Sequence, residues 1–301
     1  MMFNLITILG PTAVGKTRFA AKLADKFDGE IISADSRQVY KQMNLGTGKD
    51  FEDYSINGKN IPYHLIDILE PTEEYNLFKF KQDFRTAFNE ITNRNKHPLL
   101  VGGTGLYIHS ILKNYQLPEA NIDKNKIKHY RQLSLKELKS KLLKIKPELH
   151  NTTDMLIKER VINAIIVAES KTILHKSPQN ISSLTFGIKA ERDVIKNRIT
   201  ARLKKRLNNG MVEEVQSLID SGVTTERLKL FGLEYKFIAM YLSGELNYND
   251  MFQKLNSAIH KFAKRQMTWF RKMEKEGVEI IWIANDELNS AISIIKSKMD
   301  L

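Results

Sequence analysis

The chain has 301 residues, 42% of them hydrophobic, no cysteine and a formal net charge of +12. The lack of cysteine excludes disulfides, thiolate catalysis and a cysteine-ligated zinc module. No apolar run approaches the ~20 residues of a membrane span, and no basic segment with a cleavable apolar stretch opens the chain, so we expect a cytoplasmic protein that does not bind a membrane.

The positive charge is unevenly distributed. Residues 1–113 hold 14 Lys and Arg against 13 Asp and Glu, whereas residues 114–301 hold 33 against 22. A positive field confined to one part of a molecule attracts a polyanion. Because lysine outnumbers arginine, a lysine-rich proteome explains the excess as well, and charge alone favours nucleic acid only modestly.

A phosphate-binding loop follows the first apolar run. Residues 3–9 predict a strand and residues 18–27 a helix, and the loop between them reads Gly-x-x-x-x-Gly-Lys-Thr. Its glycines let backbone N–H groups close around phosphate oxygens, and the helix N-terminus adds partial positive charge. We expect Lys16 to reach the terminal phosphate and the Thr17 hydroxyl to bind Mg²⁺. The predicted phosphate-binding residues are Gly10, Pro11, Thr12, Ala13, Val14, Gly15, Lys16 and Thr17.

Asp35 directly follows the next predicted strand, residues 30–34. Ligands of an open parallel sheet lie at the carboxyl ends of its strands, so Asp35 is predicted on the same edge as the phosphate loop. A carboxylate there can bind magnesium or take a proton from a nucleophile. The alternative is a turn or helix-cap aspartate.

Residues 63–68 predict a further strand that contains His64 and Asp67. Asp67 resembles a magnesium-binding carboxylate superficially, and a structural pairing explains it equally well. His64 is expected to be packed or hydrogen-bonded. The preceding segment, residues 46–58, predicts an irregular loop.

A second glycine-rich loop, Gly102 to Gly105, follows the predicted strand 98–101 and opens a short helix. Its glycines favour close approach of the backbone to a ligand, and a plain strand-to-helix turn is the alternative. The helix before that strand, residues 76–94, carries aromatic side chains at three- and four-residue steps, which predicts a core face.

Composition changes after Tyr115. Residues 116–180 lack strand-like runs and carry lysines at helical spacing beside an apolar row. The leucines of that row are Leu135, Leu138, Leu142 and Leu143. A break with a helix cap at residues 150–154 precedes a helix over about 155–170. We predict a core of residues 1–115 and 181–301 with a basic helical insertion at 116–180.

A predicted helix over residues 191–208 carries Arg198, Arg202 and Arg206 in one row. Such a row is either a solvated face or a phosphate clamp, since guanidinium groups match phosphate oxygens.

The last long helix, residues 249–273, ends in Lys-Arg-Gln-Met-Thr-Trp-Phe-Arg-Lys. Basic side chains beside Trp269 and Phe270 suit an RNA loop, which needs phosphate contacts and stacking surface. The two aromatic side chains are equally well explained as core anchors. Residues 279–283 predict a final strand.

Several segments resemble one family, the tRNA dimethylallyltransferases or tRNA isopentenyltransferases, in their bacterial form. They are GPTAVGKT at 10–17, SADSRQVYK at 33–41, GTGK at 46–49, PYHLID at 62–67, GGTGLY at 102–107, KERVINA at 158–164 and KRQMTWFR at 264–271. They occur in the family's order over almost the whole chain. The resemblance implies an α/β fold whose P-loop NTPase-like parallel sheet is flanked by helices, with a small helical insertion domain.

The resemblance also implies an activity, transfer of a dimethylallyl group from dimethylallyl diphosphate to the N6 amine of the adenosine 3′ to the anticodon of tRNA. On this likeness Asp35 accepts the amine proton, Thr104 lies beside the adenine, Thr12 lies near the prenyl group and Thr17 binds Mg²⁺. The arginine on the diphosphate is Arg198 or Arg202. The implied contacts with the tRNA anticodon stem-loop are Asp35, Ser36, Arg37, Gln38, Glu159, Arg160, Val161, Ile162, Asn163, Lys264, Arg265, Gln266, Trp269 and Arg271. We expect the enzyme to act as a monomer.

Two segments depart from the family pattern. Asn163 stands where the family often has arginine, and residues 231–236 read FGLEYK where the family has IGYKE. The alternatives to tRNA prenylation are prenyl transfer to free adenylate, a P-loop small-molecule kinase or ATPase, and a non-catalytic RNA-binding protein.

Overall fold

Contacts within the chain divide it into two units. The structure, a computed structural model, describes residues 3–115, 124–145, 155, 158–169 and 180–299. The larger unit comprises Met1–Asn114 and Ile181–Leu301, and the smaller unit is Tyr115–Asn180. Among the described residues, no helix combines the length and apolarity needed to cross a membrane.

A six-stranded sheet forms the centre of the larger unit. Its strands are β1 Leu5–Leu9, β2 Gly29–Ala34, β5 Tyr63–His64, β6 His97–Gly102, β7 Ser183–Lys189 and β8 Ile281–Ala284. Every neighbouring pair of strands is parallel, and the order across the sheet is β5-β2-β6-β1-β7-β8. A separate antiparallel hairpin pairs β3 Ser55–Ile56 with β4 Lys59–Asn60. Every residue of β1 and β2 is buried, as expected for parallel strands that are covered on both faces.

Helices supply that cover. They are α1 Lys16–Lys26, α2 Leu77–Asn93, α3 Gly105–Leu112, α7 Arg192–Asn208, α8 Met211–Asp220, α9 Thr225–Leu228, α10 Leu233–Leu242, α11 Tyr248–Lys275 and α12 Leu288–Met299. One face of the sheet packs on apolar side chains of α1 and α12, and the other on those of α2, α3 and α11. A third apolar cluster joins α7, α8, α10 and α11 to the segment after β2. The predicted α/β class with a P-loop NTPase-like parallel sheet is confirmed.

The carboxyl ends of three central strands lie in register. Gly102 of β6 pairs with Leu9 of β1 on one side and with Ala34 of β2 on the other. The next residues along these strands, Gly10, Gly103 and Asp35, therefore start three neighbouring loops at one edge of the sheet. Since neighbouring strands are about 4.8 Å apart, this register places the Asp35 turn about 10 Å from the phosphate loop.

The prediction of a strand over residues 63–68 is wrong beyond His64. Leu65 and Asp67 have φ angles of +63° and +55°, which strand geometry does not allow. Asp67 accepts a hydrogen bond from Lys49 Nζ at 2.5 Å, which is the structural pairing. His64 Nε2 lies 2.7 Å from the Glu30 carboxylate, in agreement with a hydrogen-bonded histidine. The predicted irregular loop at 46–58 contains a short 3₁₀ helix, Phe51–Tyr54, and strand β3, whose hairpin partner β4 lies just beyond it.

The smaller unit consists of helices α4 Lys124–Gln132, α5 Leu135–Ile145 and α6 Lys158–Glu169 in its described part. Leu138 and Leu142 are buried between these helices, whereas Leu143 is 43% exposed and does not belong to the apolar face predicted for it. Glu169 accepts a hydrogen bond from the Tyr130 hydroxyl at 2.8 Å and ties α6 to α4. The predicted break at residues 150–154 lies outside the described residues.

Replacing Phe270 by alanine tests the core beneath the C-terminal basic segment. Phe270 is fully buried, so we expect Phe270→Ala to lower the free energy of unfolding by about 3–5 kcal/mol. Phe262 on the same helix is 38% exposed, and Phe262→Ala should cost less than about 1 kcal/mol. Chemical denaturation measures both, and equal losses would contradict the assignment of Phe270 to the core.

Candidate active site

The phosphate loop is a tight turn between β1 and α1. A Cβ atom added to Gly10 would lie 2.6 Å from the carbonyl oxygen of Ile188 on the neighbouring strand, so only glycine fits there. Gly15 has a φ of +90° and caps the start of α1, and Ala13 also has a positive φ. Such alternation of left- and right-handed backbone makes a concave surface of N–H groups that suits an anion.

Lys16 lies across this loop, and its Nζ donates a hydrogen bond to the Pro11 carbonyl at 2.8 Å. Burial and the positive charge of Arg202 lower the pKa of Lys16 to about 7, whereas the charge of Asp35 acts in the opposite sense. The field of the Asp35 carboxylate thus reaches the phosphate loop. An anion bound in the loop would stabilise the charged form of Lys16.

Of the two arginines predicted on the diphosphate, Arg202 lies at the loop. Its guanidinium donates a hydrogen bond to the Thr12 hydroxyl, and burial together with Arg206 lowers its pKa to about 10. Arg198, one turn earlier on α7, is exposed. The arginine row is therefore not a single solvated face, because Arg198 is exposed whereas Arg202 lies at the phosphate loop.

Arg206 completes the row and is 7% exposed. It pairs with Asp50 at 2.8 Å, and its Nε has no hydrogen-bond partner among the described residues. Arg202, Arg206 and Glu234 line one small cleft with apolar side chains of α7, α8 and α11. Burial raises the pKa of Glu234. Arg206 was named above only as a member of the arginine row, and Glu234 lies in the segment 231–236 that departs from the family pattern.

The Asp35 turn and the second glycine-rich loop are bonded to each other. Asp35 Oδ1 accepts the N–H of Arg37 at 2.8 Å, which closes the turn. The N–H of Ser36 donates to the Thr104 hydroxyl at 3.2 Å, and the N–H of Thr104 donates to the carbonyl of Ala34 at 3.3 Å. Thr104 therefore lies directly against the segment that carries Asp35.

Gln266 of α11 joins the second glycine-rich loop to the phosphate loop. Its side-chain oxygen accepts the N–H of Thr12 at 2.8 Å, and its amide nitrogen donates to the carbonyl of Gly103 at 2.9 Å. Gln266 is 7% exposed. The resemblance counts Gln266 among tRNA contacts, whereas in the structure its two polar atoms hold the two loops together.

The other residues of the KRQMTWFR segment differ in how deeply their side chains are buried. Lys264, Arg265 and Arg271 are exposed. Trp269 packs on Gly105, where an added Cβ would lie 2.6 Å from the indole Cγ. Phe270 is fully buried. Of the two explanations given by the sequence, the structure supports Trp269 and Phe270 as core anchors. The exposed basic side chains remain available to a polyanion.

The predicted tRNA segment of the smaller unit lies on α6. Glu159 pairs with Arg131 at 3.2 Å, and Asn163 is exposed. The side chains of Val161 and Ile162 have no exposed surface, so they belong to this unit's core and are not available to RNA. The side chain of Arg160 lies outside the described residues.

The residues that can hold Mg²⁺ are few. Within the described part of the chain, no group of three or more His, Cys, Asp or Glu side chains can bind a metal ion. The oxygen ligands available to a cation at this edge include the Thr17 hydroxyl in the first turn of α1 and the Asp35 carboxylate. This sparse set fits Mg²⁺, which usually takes one or two protein oxygens and completes its shell with phosphate oxygens and water.

Comparison with known proteins finds relatives that match almost the whole chain. A family model described as IPP transferase matches residues 38–273, and one described as isopentenyl transferase matches residues 3–62. A protein of Geotalea daltonii named tRNA dimethylallyltransferase 1 is 49% identical over 98% of this chain and 96% of its own length. The full-length tRNA isopentenylpyrophosphate transferase of Bacillus halodurans superposes with a TM-score of 0.72 at 30% identity, covering 99% of this chain and 97% of that one. A eukaryotic dimethylallyltransferase acting on tRNA shares the fold, with a TM-score of 0.75 at 21% identity over 99% of this chain and 77% of that one.

Gln266→Leu tests whether this side chain holds the loops or binds RNA. The change removes both hydrogen bonds, so we expect the affinity for inorganic diphosphate to fall about tenfold while tRNA affinity stays within about threefold of wild type. Calorimetry and gel shift measure the two affinities.

Lys264→Ala is the contrasting variant, because its side chain is exposed on the same helix. It should weaken tRNA binding and reduce the salt slope by about 1, with diphosphate binding unchanged. Loss of tRNA affinity in Gln266→Leu with intact diphosphate binding would instead support a direct RNA contact.

The low pKa of Lys16 predicts that diphosphate binding takes up a proton. At pH 8 the free amine is mostly neutral, since its pKa is about 7. A bound anion raises that pKa, so binding adds a proton and the affinity falls as the pH rises from 7 to 9. Calorimetry in buffers of different ionisation enthalpy measures the uptake. Lys16→Arg keeps its charge throughout, so its proton uptake should be smaller; equal uptake in the two proteins would contradict the assignment.

Proposed function

Since the chain belongs to the tRNA dimethylallyltransferase family, we propose that it transfers the dimethylallyl group of dimethylallyl diphosphate to the N6 amine of the adenosine 3′ to the anticodon. Membership of the family makes the chain a tRNA prenyltransferase. The proposal concerns the donor, the acceptor atom and the residues that act on them. It is carried by one observation. Hydrogen bonds join the Asp35 turn to Thr104 of the second glycine-rich loop, and Gln266 joins Gly103 of that loop to Thr12 of the phosphate loop.

The phosphate loop would hold the leaving group. In the reaction, the bond between C1 of the allylic group and a diphosphate oxygen breaks as the bond between N6 and C1 forms. Negative charge gathers on the departing oxygen. The loop N–H groups, Lys16 and Arg202 would stabilise it, and stabilisation of developing charge by fixed groups is usually the largest catalytic term.

Asp35 would act on the acceptor. The adenine amine is a weak nucleophile because its lone pair is delocalised into the ring. A carboxylate that accepts a hydrogen bond from the amine orients it and removes its proton as the new bond forms. Thr104, bonded to the same turn, would lie beside the base. The base must leave its stack to reach this edge, at a cost of a few kcal/mol.

Mg²⁺ would be held by Thr17 together with diphosphate oxygens. When bound, it would add positive charge at the leaving group. The protein's own part is to place the Thr17 hydroxyl in the first turn of α1, next to Lys16.

Exposed basic residues would bind the tRNA anticodon stem-loop. In the larger unit they are Lys264, Arg265 and Arg271, and in the smaller unit Lys128 and Lys136 are exposed. Neutralised phosphates release counterions, so the affinity should fall steeply with salt. We further propose that the enzyme acts as a monomer and, from its cysteine-free composition, that it is cytoplasmic.

Asp35→Asn tests the acceptor side. Asparagine can still accept the N–H of Arg37, so the turn should persist while the base is lost. We expect transfer of labelled dimethylallyl groups to unmodified tRNA to fall about 10²–10⁴-fold, with tRNA affinity nearly unchanged. Nucleoside analysis of the product identifies the modified base.

Asp28→Asn is the matched control, because Asp28 is an exposed carboxylate paired with Lys96. It should retain wild-type transfer. Turnover of Asp35→Asn near the wild-type rate would contradict the proposed base. Wild-type transfer to free adenylate rather than to tRNA would contradict the proposed acceptor.

A further inference from the structure

The carboxylate of Glu214 on α8 accepts four hydrogen bonds. Its Oε2 accepts the N–H groups of Asn44 at 2.9 Å and Leu45 at 2.7 Å. Its Oε1 accepts the N–H of Gly46 at 3.0 Å and the hydroxyl of Tyr235 at 2.6 Å. Three consecutive backbone donors of one loop thus depend on a single side chain about 170 positions away in sequence.

The loop that Glu214 holds, residues 44–50, reaches the site at two points. The carbonyl of Gly48 accepts a hydrogen bond from the side chain of Gln38 at 3.0 Å, and Gln38 lies on the segment that starts with Asp35. Asp50 pairs with Arg206, one turn along α7 from Arg202. Displacement of this loop would therefore disturb groups on both the acceptor side and the diphosphate side.

The fit of the loop is close. A Cβ atom added to Gly46 would lie 2.6 Å from the ring of Tyr235, whose hydroxyl also bonds Glu214. Burial and the charge of Glu214 raise the pKa of Tyr235, so its hydroxyl remains a donor. At the other end, Lys49 Nζ is anchored on the carbonyl of Tyr40 at 2.5 Å and on Asp67. The loop thus has anchors at both ends, and Glu214 supplies the one at residues 44–46.

We propose that Glu214 is a positioning residue for prenyl transfer, which holds loop 44–50 so that Gln38 and Arg206 keep the geometry of the site. Glu214 itself touches no reacting atom. Misplacement by about 1 Å can lower a rate a hundredfold, so a remote anchor of this kind affects kcat. The expected change in kcat rests on the proposed function, whereas the expected change in hydrogen exchange depends only on the contacts of the loop.

Glu214→Gln tests it with a change of one atom. Whichever way the amide is turned, its NH₂ group faces at least one backbone N–H of the loop, which then loses its acceptor. We expect kcat to fall about tenfold to a hundredfold, with tRNA affinity within about threefold of wild type. Hydrogen exchange of the amides at 44–46 should become faster, and exchange in β1 should not change.

Glu213→Gln is the matched control, since Glu213 is exposed on the same helix and carries the same charge. It should match wild type in kcat and in exchange. If Glu214→Gln folds poorly, Gly46→Ala displaces the loop with the carboxylate intact and should give the same fall in kcat.

Equal kcat values in Glu214→Gln and Glu213→Gln would overturn the proposal, as would a loss confined to tRNA affinity. Wild-type enzyme is assayed in parallel. A wild-type protein without prenyl transfer would count against the proposed function, and the exchange of the 44–46 amides would still decide the anchoring role of Glu214.

Discussion

The register of three neighbouring strands is the constraint on which the site depends. Because Leu9, Gly102 and Ala34 lie side by side, the phosphate loop, the second glycine-rich loop and the Asp35 turn leave the sheet together. Parallel strands put all three loops at one edge, which is where such sheets bind ligands. A shift of one residue in any strand would exchange the side chains that pack on the two helical layers, so close packing on both faces of the sheet enforces this register.

Side chains from distant helices then fix the loops relative to one another. Gln266 bonds the two glycine-rich loops, Arg202 bonds the phosphate loop, and Glu214 bonds the loop beside Gln38. These side chains come from α7, α8 and α11, which share one apolar cluster. The packing of these helices therefore determines where the loops of the site lie. The same helices bring Arg202 close to Lys16 of α1 and Arg206 close to Arg202. Burial and, after it, the positive charge of a neighbouring arginine lower the pKa values of Lys16 and Arg202.

The sequence was sufficient for the six strands of the sheet, for helices α1, α2, α3, α7 and α11 and for the loops at the sheet's edge, because each carries a local signal. It did not predict α8, α9, α10 or α12. Strand, glycine-rich loop and helix follow one another directly at residues 5–26, and the aromatic spacing of α2 marks a core face. The sequence failed where the backbone conformation differs from the one that the apolar pattern predicts. The apolar residues around Leu65 and Asp67 predict a strand, but the positive φ angles of these two residues end it. It also missed Glu214 and the pairing of Arg206 with Asp50, because the partners lie more than 150 residues away, and it could not tell that Gln266 faces inward. Periodicity identifies the buried face of a helix, but it does not identify the polar groups that the face meets.

The most direct test of this account is the distance from the Asp35 carboxylate to the adenine N6 in a crystal structure of the enzyme with a non-reactive donor analogue and an anticodon stem-loop. The account predicts N6 within hydrogen-bond distance of Asp35, on the order of 3 Å, with the analogue's diphosphate in the loop that contains Lys16. An adenine bound away from Asp35, or a diphosphate held outside that loop, would contradict it.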